Sequence, residues 1–435
     1  MANIATTRSF RLVCGPERIP LVEALLRAQG FSFEPEPFYP LARRLTEGSL
    51  PLGSSLAAVF GYIYIQDRSS MLPPLALAPE QGAAVLDMCA SPGSKTGLLA
   101  CLVGQDGFVL ANEPAQKRLA TLRRNLKLQN LFWASTCSWP GERLPLPGAA
   151  GAETGWTHIQ LDPPCSGWGT VEKNPQVLRL WQGDKLNTLT GLQRKLLREA
   201  SRLLAPGGRL AYSTCTTNVG ENEEQVRYAC EELGFELLPL GDLAGFSFAS
   251  PVLPSCDGVW RVETGADGQG FFVALLRKTN SGAGEAGDAP CASSGAEAAW
   301  QYCPPDMLES EWLDTALLPP GKLGLFNNSV FFLPREAERR LPRSFSWKGF
   351  PLGRVDRSGR LRSDPWLRSL MPSALEAGQR GLPCLDVDEP GVVLALLSGQ
   401  SLRVQATVGE MGLYFRGLPL CRLTVKNGRA MLPPA

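Results

Sequence analysis

The sequence of 435 residues is poor in histidine, and its only one is His158. Hydrolases of the Ser-His-Asp or Cys-His type use an imidazole as general base. Because His158 stands in an apolar run, we expect it to pack within a strand rather than act as that base. Zinc sites need clustered cysteine and histidine ligands, and none of the 12 cysteines forms a CxxC pair. We therefore expect no metal.

Strong net charge and long apolar runs are also missing from the chain. The formal net charge is only +1, so the chain as a whole gives no electrostatic signal for a nucleic-acid partner. No apolar run is long enough to span a bilayer, and Met1 to Cys14 lacks the apolar centre of a signal peptide. We expect a cytoplasmic monomer with reduced thiols and no membrane contact.

The pattern along the chain predicts three regions and a linker. Residues 1–78 contain a short helix and an alternating strand, which predicts a small α/β region. Residues 79–278 alternate strand and helix, which is typical of a parallel, Rossmann-like sheet. Residues 279–300 are small and polar and predict a flexible linker. Residues 301–435 contain short apolar runs, such as Val392–Leu397, Leu402–Val408 and Leu418–Val425, and predict a separate β-rich domain.

A loop of small residues follows the first strand of the central region. The strand Ala83–Met88 leads into Cys89-Ala90-Ser91-Pro92-Gly93-Ser94-Lys95, and a helix follows. Small residues let a ligand approach the backbone, and a helix N-terminus offers free N–H groups to a carboxylate or phosphate. Glu113 ends the next strand, where an acidic residue can accept both hydroxyls of a ribose. Together, the loop and the acid favour an adenosine-containing cofactor.

Other interpretations of this loop stay open at this point. Ser94-Lys95-Thr96 resembles the end of a P-loop, but the preceding glycine pattern is missing. A plain connection between strand and helix needs no ligand at all, and Glu113 by itself could be an ordinary surface carboxylate.

Two cysteines stand in polar, turn-like segments directly after predicted strands. Cys165 lies in Asp162-Pro163-Pro164-Cys165-Ser166, and Cys215 lies in Ser213-Thr214-Cys215-Thr216. A thiolate can add to carbon 6 of a pyrimidine and thereby enable carbon 5 to accept a methyl group. An acid near ring N3 would offset the developing charge, and Asp162 is suitably placed for this role. A single buried cysteine is more often a small apolar residue, and this reading suits Cys101 and Cys230.

In their order along the chain, these motifs resemble the RNA 5-methylcytosine methyltransferases of the NOL/NOP/Sun type. The family has a counterpart of the small-residue loop, of Asp162–Ser166 and of the Thr-Cys motif followed by Glu221-Asn222-Glu223. Gly61–Ser70 and Gly270–Ala274 are similar to two further family segments. The likeness covers roughly residues 10–278, and the overall layout is most similar to the bacterial small-subunit rRNA enzymes of the RsmF type.

The resemblance implies an α/β fold with a Rossmann-like, class I S-adenosylmethionine-dependent methyltransferase domain, an N-terminal RNA-docking region over residues 1–78 and a C-terminal β-rich RNA-binding domain. It implies that Cys215 attacks carbon 6 of a cytosine, that Cys165 assists product release and that Asp162 contacts the target base. The RNA would be 16S rRNA, within the small ribosomal subunit. The residues that would hold S-adenosylmethionine are Cys89, Ala90, Ser91, Pro92, Gly93, Ser94, Lys95, Glu113, Arg118, Cys137 and Asp162.

Two positions depart from the family pattern. Cys137 stands where an aspartate usually contacts the adenine end of the cofactor. Arg261 is followed by Val262-Glu263, where the family often has a proline.

A basic segment is the strongest local signal for RNA contacts. Residues 335–368 carry ten lysines and arginines against four acids, interleaved with Phe345, Trp347, Phe350 and Trp366. Arginines with aromatics suit phosphate contacts and stacking on unpaired bases. The alternative is a solvated charged face above core aromatics.

Rival functions remain at this stage. The substrate could be tRNA, or the protein could be a weakly catalytic RNA-binding assembly factor of the ribosome. A DNA cytosine methyltransferase would use the Pro-Cys cysteine, Cys165, as its nucleophile. An amino-group methyltransferase would have an aromatic residue after Pro164, where Cys165 stands.

Overall fold

A computed structural model describes residues 8–146, 155–172, 174–180, 184–265, 268–279, 300–308, 310–342 and 345–433. Nearly all of the predicted linker, residues 279–300, lies outside these ranges, so the linker stays a prediction. Among the described residues, no helix is both long and apolar enough to cross a membrane.

The N-terminal region forms a four-stranded antiparallel sheet with helices beside it. The strand order is β2-β3-β1-β4. Helix α1 buries Val22, Leu25 and Leu26, which share one face at helical spacing. The elements are β1 (Ser9–Leu12), α1 (Ile19–Ala28), β2 (Phe31–Pro35), β3 (Ala42–Gly48), α2 (Leu56–Val59), β4 (Ile63–Ile65) and α3 (Leu72–Leu77).

The central region alternates strands and helices as predicted. Its elements are β5 (Ala84–Asp87), α4 (Ser94–Val103), β6 (Phe108–Asn112), α5 (Gln116–Gln129), β7 (Ala134–Cys137), β8 (Trp156–Leu161), α6 (Val177–Leu180), α7 (Asp184–Leu203), β9 (Leu204–Thr214), α8 (Glu223–Glu232), β10 (Phe235–Leu238), β11 (Trp260–Val262) and β12 (Phe271–Lys278).

The C-terminal region is rich in strands, as expected, but one of the apolar runs behind that prediction is helical. The apolar run Val392–Leu397 lies in a helix that begins at Pro390, a residue favoured in the first helical turn. The elements are β13 (Gln301–Cys303), β14 (Gly321–Phe326), β15 (Ser329–Pro334), α9 (Arg335–Arg340), β16 (Trp347–Lys348), β17 (Phe350–Val355), β18 (Leu361–Ser363), α10 (Ala374–Gln379), β19 (Cys384–Val387), α11 (Pro390–Leu397), β20 (Leu402–Arg403), β21 (Val408–Phe415), β22 (Leu418–Lys426) and β23 (Arg429–Met431).

The central sheet has the order β10-β12-β9-β8-β5-β6-β7-β16, and β11 pairs with β12. Strands β9, β8, β5, β6 and β7 run parallel, whereas β12, β10 and β16 are antiparallel to their neighbours. The predicted Rossmann-like sheet is therefore confirmed, in a mixed form. Because the parallel strands point the same way, the segments after β5, β8 and β9 meet at one edge.

The C-terminal region forms two sheets, with strand orders β13-β14-β15-β17-β18 and β19-β21-β22-β23-β20. Strand β16 belongs to neither of these two sheets and instead pairs with β7 at the end of the central sheet. Leu333 and Trp347 share a core with the central region, and Leu413 and Leu423 share another with the N-terminal strands and helices. The C-terminal residues therefore pack against both other regions, and the domain boundaries stay a prediction.

Candidate active site

The two cysteines singled out in the sequence lie side by side. Cys165 follows β8 and Cys215 follows β9, and their Sγ atoms are 3.2 Å apart. Asp162 is the first residue after β8. Lys95, at the start of α4, donates from Nζ to Asp162 Oδ2 at 2.7 Å and so links Asp162 to the small-residue loop. The predicted catalytic residues are thus brought together at the carboxyl edge of the sheet.

The thiol pair is electrostatically asymmetric. A hydrogen bond from the Cys165 thiol lowers the pKa of Cys215 below its usual value, and Lys95 adds to this effect, whereas burial and the charge of Asp162 oppose it. The same hydrogen bond, together with burial, raises the pKa of Cys165 well above its usual value. Cys215 is therefore the thiol that ionises first, which is what a nucleophile requires.

Asp162 sits in a polar cluster. Ser213 Oγ donates to its Oδ1 at 2.9 Å, and Lys95 pairs with its Oδ2. Burial works against the charge of Lys95, but the pairing with Asp162 outweighs it and raises the pKa of the amine. Lys95 therefore stays cationic beside both Asp162 and Cys215. The sequence assigned Lys95 only to the cofactor loop, so its contact with Asp162 is a finding of the structure.

The small-residue loop is braced from both ends. Gly93 precedes α4 with φ +106°, a backbone conformation that favours glycine. Arg118 Nη2 donates to the carbonyl of Ser91 at 2.9 Å, and Ser91 Oγ donates to the carbonyl of Arg118 at 3.0 Å. At the start of α4, Thr96 Oγ1 donates to Asp87 Oδ2 at 2.6 Å. The loop therefore presents a preformed backbone surface beside Lys95.

Glu113 lies at the carboxyl end of β6, as predicted, and is buried. Its Oε1 accepts from the backbone N–H of Ala115 at 2.9 Å, and its Oε2 lies 3.4 Å from Arg118 Nε. A carboxylate oriented at this edge, one strand away from the loop, fits the ribose end of an adenosine cofactor. Arg118 links this carboxylate to the loop.

Cys137 does not replace the family aspartate with another anion. It is buried at the end of β7, and its Sγ donates to Asn112 Oδ1 at 3.3 Å. Burial strongly raises the pKa of this thiol, so it stays neutral. The backbone N–H of Trp139 donates to the same Asn112 oxygen at 2.9 Å. Cys137 thus belongs to a structural network.

Three of the four aromatics of the basic segment are core residues and the fourth, Trp366, is half-buried against a core, which corrects the idea that they stack on RNA. Phe345, Trp347 and Phe350 are buried, and Trp366 stacks on Phe60 with ring centroids 5.4 Å apart. Apolar burial stabilises these rings more than solvent-exposed stacking would. Arg368 of the same segment is buried as well.

Sequence reasoning missed two residues that hold the cysteine loops. Gly169 donates its N–H to the carbonyl of Cys215 at 3.1 Å and accepts from Gly270 N at 2.9 Å. Glu221 is buried and accepts hydrogen bonds from Ser166, the neighbour of Cys165. The available signal for Glu221 was its place six residues after Cys215 in Glu221-Asn222-Glu223.

Arg261, next to the second departure from the family pattern, has a well-defined role. Its Nη1 pairs with buried Glu223 Oε1 at 2.8 Å, and its Nη2 donates to the carbonyl of Thr217 at 2.9 Å. It thereby joins β11 to the segment that follows Cys215.

Comparison with known sequences matches this site region. A profile for the family "16S rRNA methyltransferase RsmB/F" matches residues 74–277. Ribosomal RNA small subunit methyltransferase F of Cronobacter sakazakii is 39% identical over 269 residues, 58% of this chain and 53% of that protein. The protein of that name from an Escherichia coli strain is 37% identical over 249 residues, 54% of this chain and 49% of that protein. The chain spans about half the length of these relatives.

Solved structures that resemble this chain include methyltransferase relatives, in agreement with the sequence comparison. A methyltransferase homolog from Pyrococcus horikoshii is 30% identical, with a TM-score of 0.53 covering 63% of this chain and 87% of that one. NSun6 of the same organism, solved with SFG, has a TM-score of 0.53 at 20% identity, covering 63% and 91%, and shares the fold. The family predicted from the motifs is confirmed: the chain belongs to the RsmB/F family of S-adenosylmethionine-dependent methyltransferases.

Proposed function

We propose that this protein methylates carbon 5 of a cytosine in 16S rRNA, in the cytoplasm and within the small ribosomal subunit. The observation that carries the proposal is the thiol pair, 3.2 Å apart, beside the Lys95–Asp162 ion pair and the small-residue loop. The names of the bacterial relatives support rRNA as the substrate class.

In the first step, Cys215 forms a bond from its sulfur to carbon 6 of the cytosine. The lowered pKa of Cys215, caused mainly by the hydrogen bond from Cys165, supplies the thiolate that this attack requires. Negative charge then develops on the ring and is offset at N3. Lys95 supplies the positive charge, and Asp162 passes a proton from Lys95 to N3, since Lys95 Nζ lies 2.7 Å from Asp162 Oδ2.

The second step removes the hydrogen from carbon 5 after the methyl group has arrived there. Cys165, after giving its own proton to solvent, takes this hydrogen as a proton. The bond between the Cys215 sulfur and carbon 6 breaks with its electron pair on sulfur, the ring double bond returns, and the proton at N3 goes back to Asp162. The hydrogen bond to Cys215 and the negative charge of Cys215 are two of the causes that raise the pKa of Cys165. Both disappear when Cys215 is bonded to carbon 6, so Cys165 becomes easier to ionise at the stage where a base is needed.

S-adenosylmethionine, when bound, supplies an electrophilic methyl group. The residues that fit it are the loop Cys89–Lys95 and Glu113, because the loop is braced by Arg118 and Glu113 is oriented at the ribose position. Asp162 lies next to the cofactor loop, because it is paired with Lys95 at the end of that loop. Cys137 would contribute apolar packing near the adenine end, since its thiol is engaged with Asn112.

The proposal is tested by transfer of labelled methyl from S-adenosylmethionine to small ribosomal subunits, free 16S rRNA and tRNA. Cys215→Ala and Cys165→Ala are assayed in parallel. We expect label in small subunits or free 16S rRNA as 5-methylcytosine, no label with Cys215→Ala, and a covalent RNA–protein adduct that persists with Cys165→Ala.

Other outcomes point to the rival functions. Label confined to tRNA would show that the substrate is tRNA and not 16S rRNA. Activity lost in Cys165→Ala but retained in Cys215→Ala would exchange the roles of the two thiols, as in a DNA cytosine methyltransferase. RNA binding without any label or cofactor binding would indicate a ribosome assembly factor.

A further inference from the structure

Glu221 is a carboxylate in the interior of the protein, away from solvent but next to the thiol pair. Its side chain is completely buried. Its Oε2 accepts from the backbone N–H of Ser166 at 2.9 Å and from Gln193 Nε2 at 3.0 Å, and its Oε1 accepts from Ser166 Oγ at 2.5 Å. Three donors therefore converge on one side chain.

The hydrogen bonds of Glu221 connect both cysteine loops. Ser166 directly follows Cys165 and Thr216 directly follows Cys215, and their hydroxyl oxygens are 2.8 Å apart. Because a carboxylate only accepts, Ser166 Oγ gives its proton to Glu221 and accepts from Thr216 Oγ1. The chain Thr216 to Ser166 to Glu221 thus fixes the residue after one thiol relative to the residue after the other.

The backbone around Glu221 is equally constrained. Tyr212 donates its hydroxyl to the carbonyl of Glu221 at 2.6 Å, and Asn218 Oδ1 accepts from the N–H groups of Gly220 and Glu221. Gln193 also donates to the carbonyl of Pro164, next to Cys165, at 3.0 Å. Glu221 is therefore fixed relative to β9, the strand that ends next to Cys215.

A buried carboxylate is costly unless it is paired or fully hydrogen-bonded. No ion pair between described residues includes Glu221, so its hydrogen bonds are what stabilise it there. A buried apolar side chain would fill the space at a lower cost. The network is better explained by the geometry that it imposes on Ser166 than by stability.

We propose that Glu221 is a positioning residue that holds the Cys165 thiol against Cys215, and so sets the rate at which the covalent adduct is resolved. The inference rests on the proposed function, because it assigns Glu221 to the step in which Cys165 takes the proton from carbon 5. Glu221 acts through Ser166 and does not touch the substrate.

The test compares Glu221→Gln and Glu221→Leu with Glu224→Gln, a control on the half-exposed neighbouring turn. Glutamine keeps an acceptor for the Ser166 N–H, whereas leucine has a similar size and no acceptor. Steady-state methylation of small subunits or free 16S rRNA and the fraction of RNA trapped on the protein are measured for each. Displacing a reacting group by about 1 Å costs up to about 100-fold in rate. We expect turnover to fall about 10- to 100-fold in Glu221→Leu, with trapped adduct, and less in Glu221→Gln.

A double-variant comparison separates positioning from general destabilisation. If Glu221 acts only through Cys165, adding Glu221→Leu to Cys165→Ala changes neither the amount of trapped adduct nor the rate at which it forms. Thermal melting and S-adenosylmethionine titration report whether Glu221→Leu has folded. If that variant does not fold, Thr216→Val and Ser166→Ala interrupt the same chain and are expected to trap adduct.

The outcomes distinguish the two proposals. If Cys165→Ala traps no adduct on an RNA that wild-type protein methylates, the proposed release step is wrong whatever Glu221 does. If Cys165→Ala traps adduct but folded Glu221→Leu resolves it at the wild-type rate, Glu221 is not a positioning residue. Slower formation of the adduct on adding Glu221→Leu to Cys165→Ala also overturns the inference.

Discussion

At the scale of single residues, the reactivity of Cys215 depends on one neighbouring thiol. The hydrogen bond from Cys165 is the main cause that lowers the pKa of Cys215. Removing it in Cys165→Ala should move the pH at which Cys215 reaches half-maximal alkylation by iodoacetamide to higher values. Cys165→Ser keeps a donor and should shift this midpoint less.

Peptide mass spectrometry assigns the alkylated thiol, with Cys303 in the same digest as an internal reference. Equal midpoints in wild type and Cys165→Ala would mean that Cys165 does not activate Cys215.

His158 is a buried strand residue, as its apolar neighbours predicted. It lies in β8, and Arg209 Nη2 is 2.7 Å from its Nε2. Burial, and then the charge of Arg209, lower the pKa of His158 to about 4 from the ordinary 6.5. Although Glu80 also lies 3.2 Å from Nε2, this carboxylate is mostly exposed and does not outweigh those effects.

This shift has a definite consequence for stability. Between pH 6.5 and 4 the unfolded chain binds a proton at His158 that the folded chain does not, so falling pH destabilises the fold. The full effect is about 3 kcal/mol. Burial raises the pKa of Asp87 to about 6, which acts in the opposite direction, because that stabilisation is lost as pH rises from 3.8 to 6. The two groups therefore mask each other in the wild type.

His158→Gln should separate them. Urea unfolding of both proteins from pH 4 to 7 gives the difference in unfolding free energy, wild type minus variant, and we expect it to rise by about 3 kcal/mol over this range. A difference that does not change with pH would show that His158 titrates normally in the folded protein.

At the scale of elements, the site is formed by the loops that follow neighbouring strands. Close contacts between the backbones of these loops keep them together. A Cβ atom on Gly169 would lie 2.0 Å from the carbonyl oxygen of Gly270 and 2.9 Å from that of Cys215. Gly169 therefore permits the contact between the Cys165 loop, the Cys215 loop and the start of β12.

Gly169→Ala should separate these loops and lower methylation by about 100-fold, since a shift of about 1 Å in a reacting group has that cost. Gly191→Ala is the matched control, because nothing lies within 4 Å of its added Cβ and it stands inside α7. Alanine there should leave activity unchanged and stabilise the helix by about 0.5–1 kcal/mol. Equal activity of the two variants would contradict the packing argument.

Element identity in the central region follows from local pattern. The buried runs at β5, β6 and β8 and the helical segments between them are visible in the sequence, because strand and helix periodicities are local properties. The apolar run Val392–Leu397 was misassigned because a short apolar segment has no distinguishing period, and its α-helical state is seen only in the fold.

At the scale of the whole molecule, Arg368 joins the three regions. Its guanidinium is buried, and it donates to the carbonyls of Leu128 at 2.7 Å and Gly61 at 2.6 Å. It also lies 4.5 Å from the ring centroid of Tyr62. Burial lowers the pKa of Arg368, so its hydrogen bonds have to offset a desolvation cost.

Arg368→Met should leave two buried carbonyls without donors and lower the free energy of unfolding by about 3 kcal/mol. Urea unfolding followed by tryptophan fluorescence measures this, with exposed Arg380→Met as the control. A loss equal to that of Arg380→Met would show that the three regions are held together by their apolar cores alone.

The sequence by itself determined the family, the Rossmann-like alternation of strands and helices, and the choice of the two thiols, the small-residue loop and Glu113 as candidate site residues. These depend on motifs of consecutive residues and on short periodicities, which are properties of neighbouring positions. Only the tertiary structure decided that Lys95 pairs with Asp162, that Glu221 accepts from the Ser166 hydroxyl that meets Thr216, and that most aromatics of the basic segment are core. Those contacts join residues far apart in the chain, and no local pattern carries information about which distant side chain will meet a buried charge, thiol or ring.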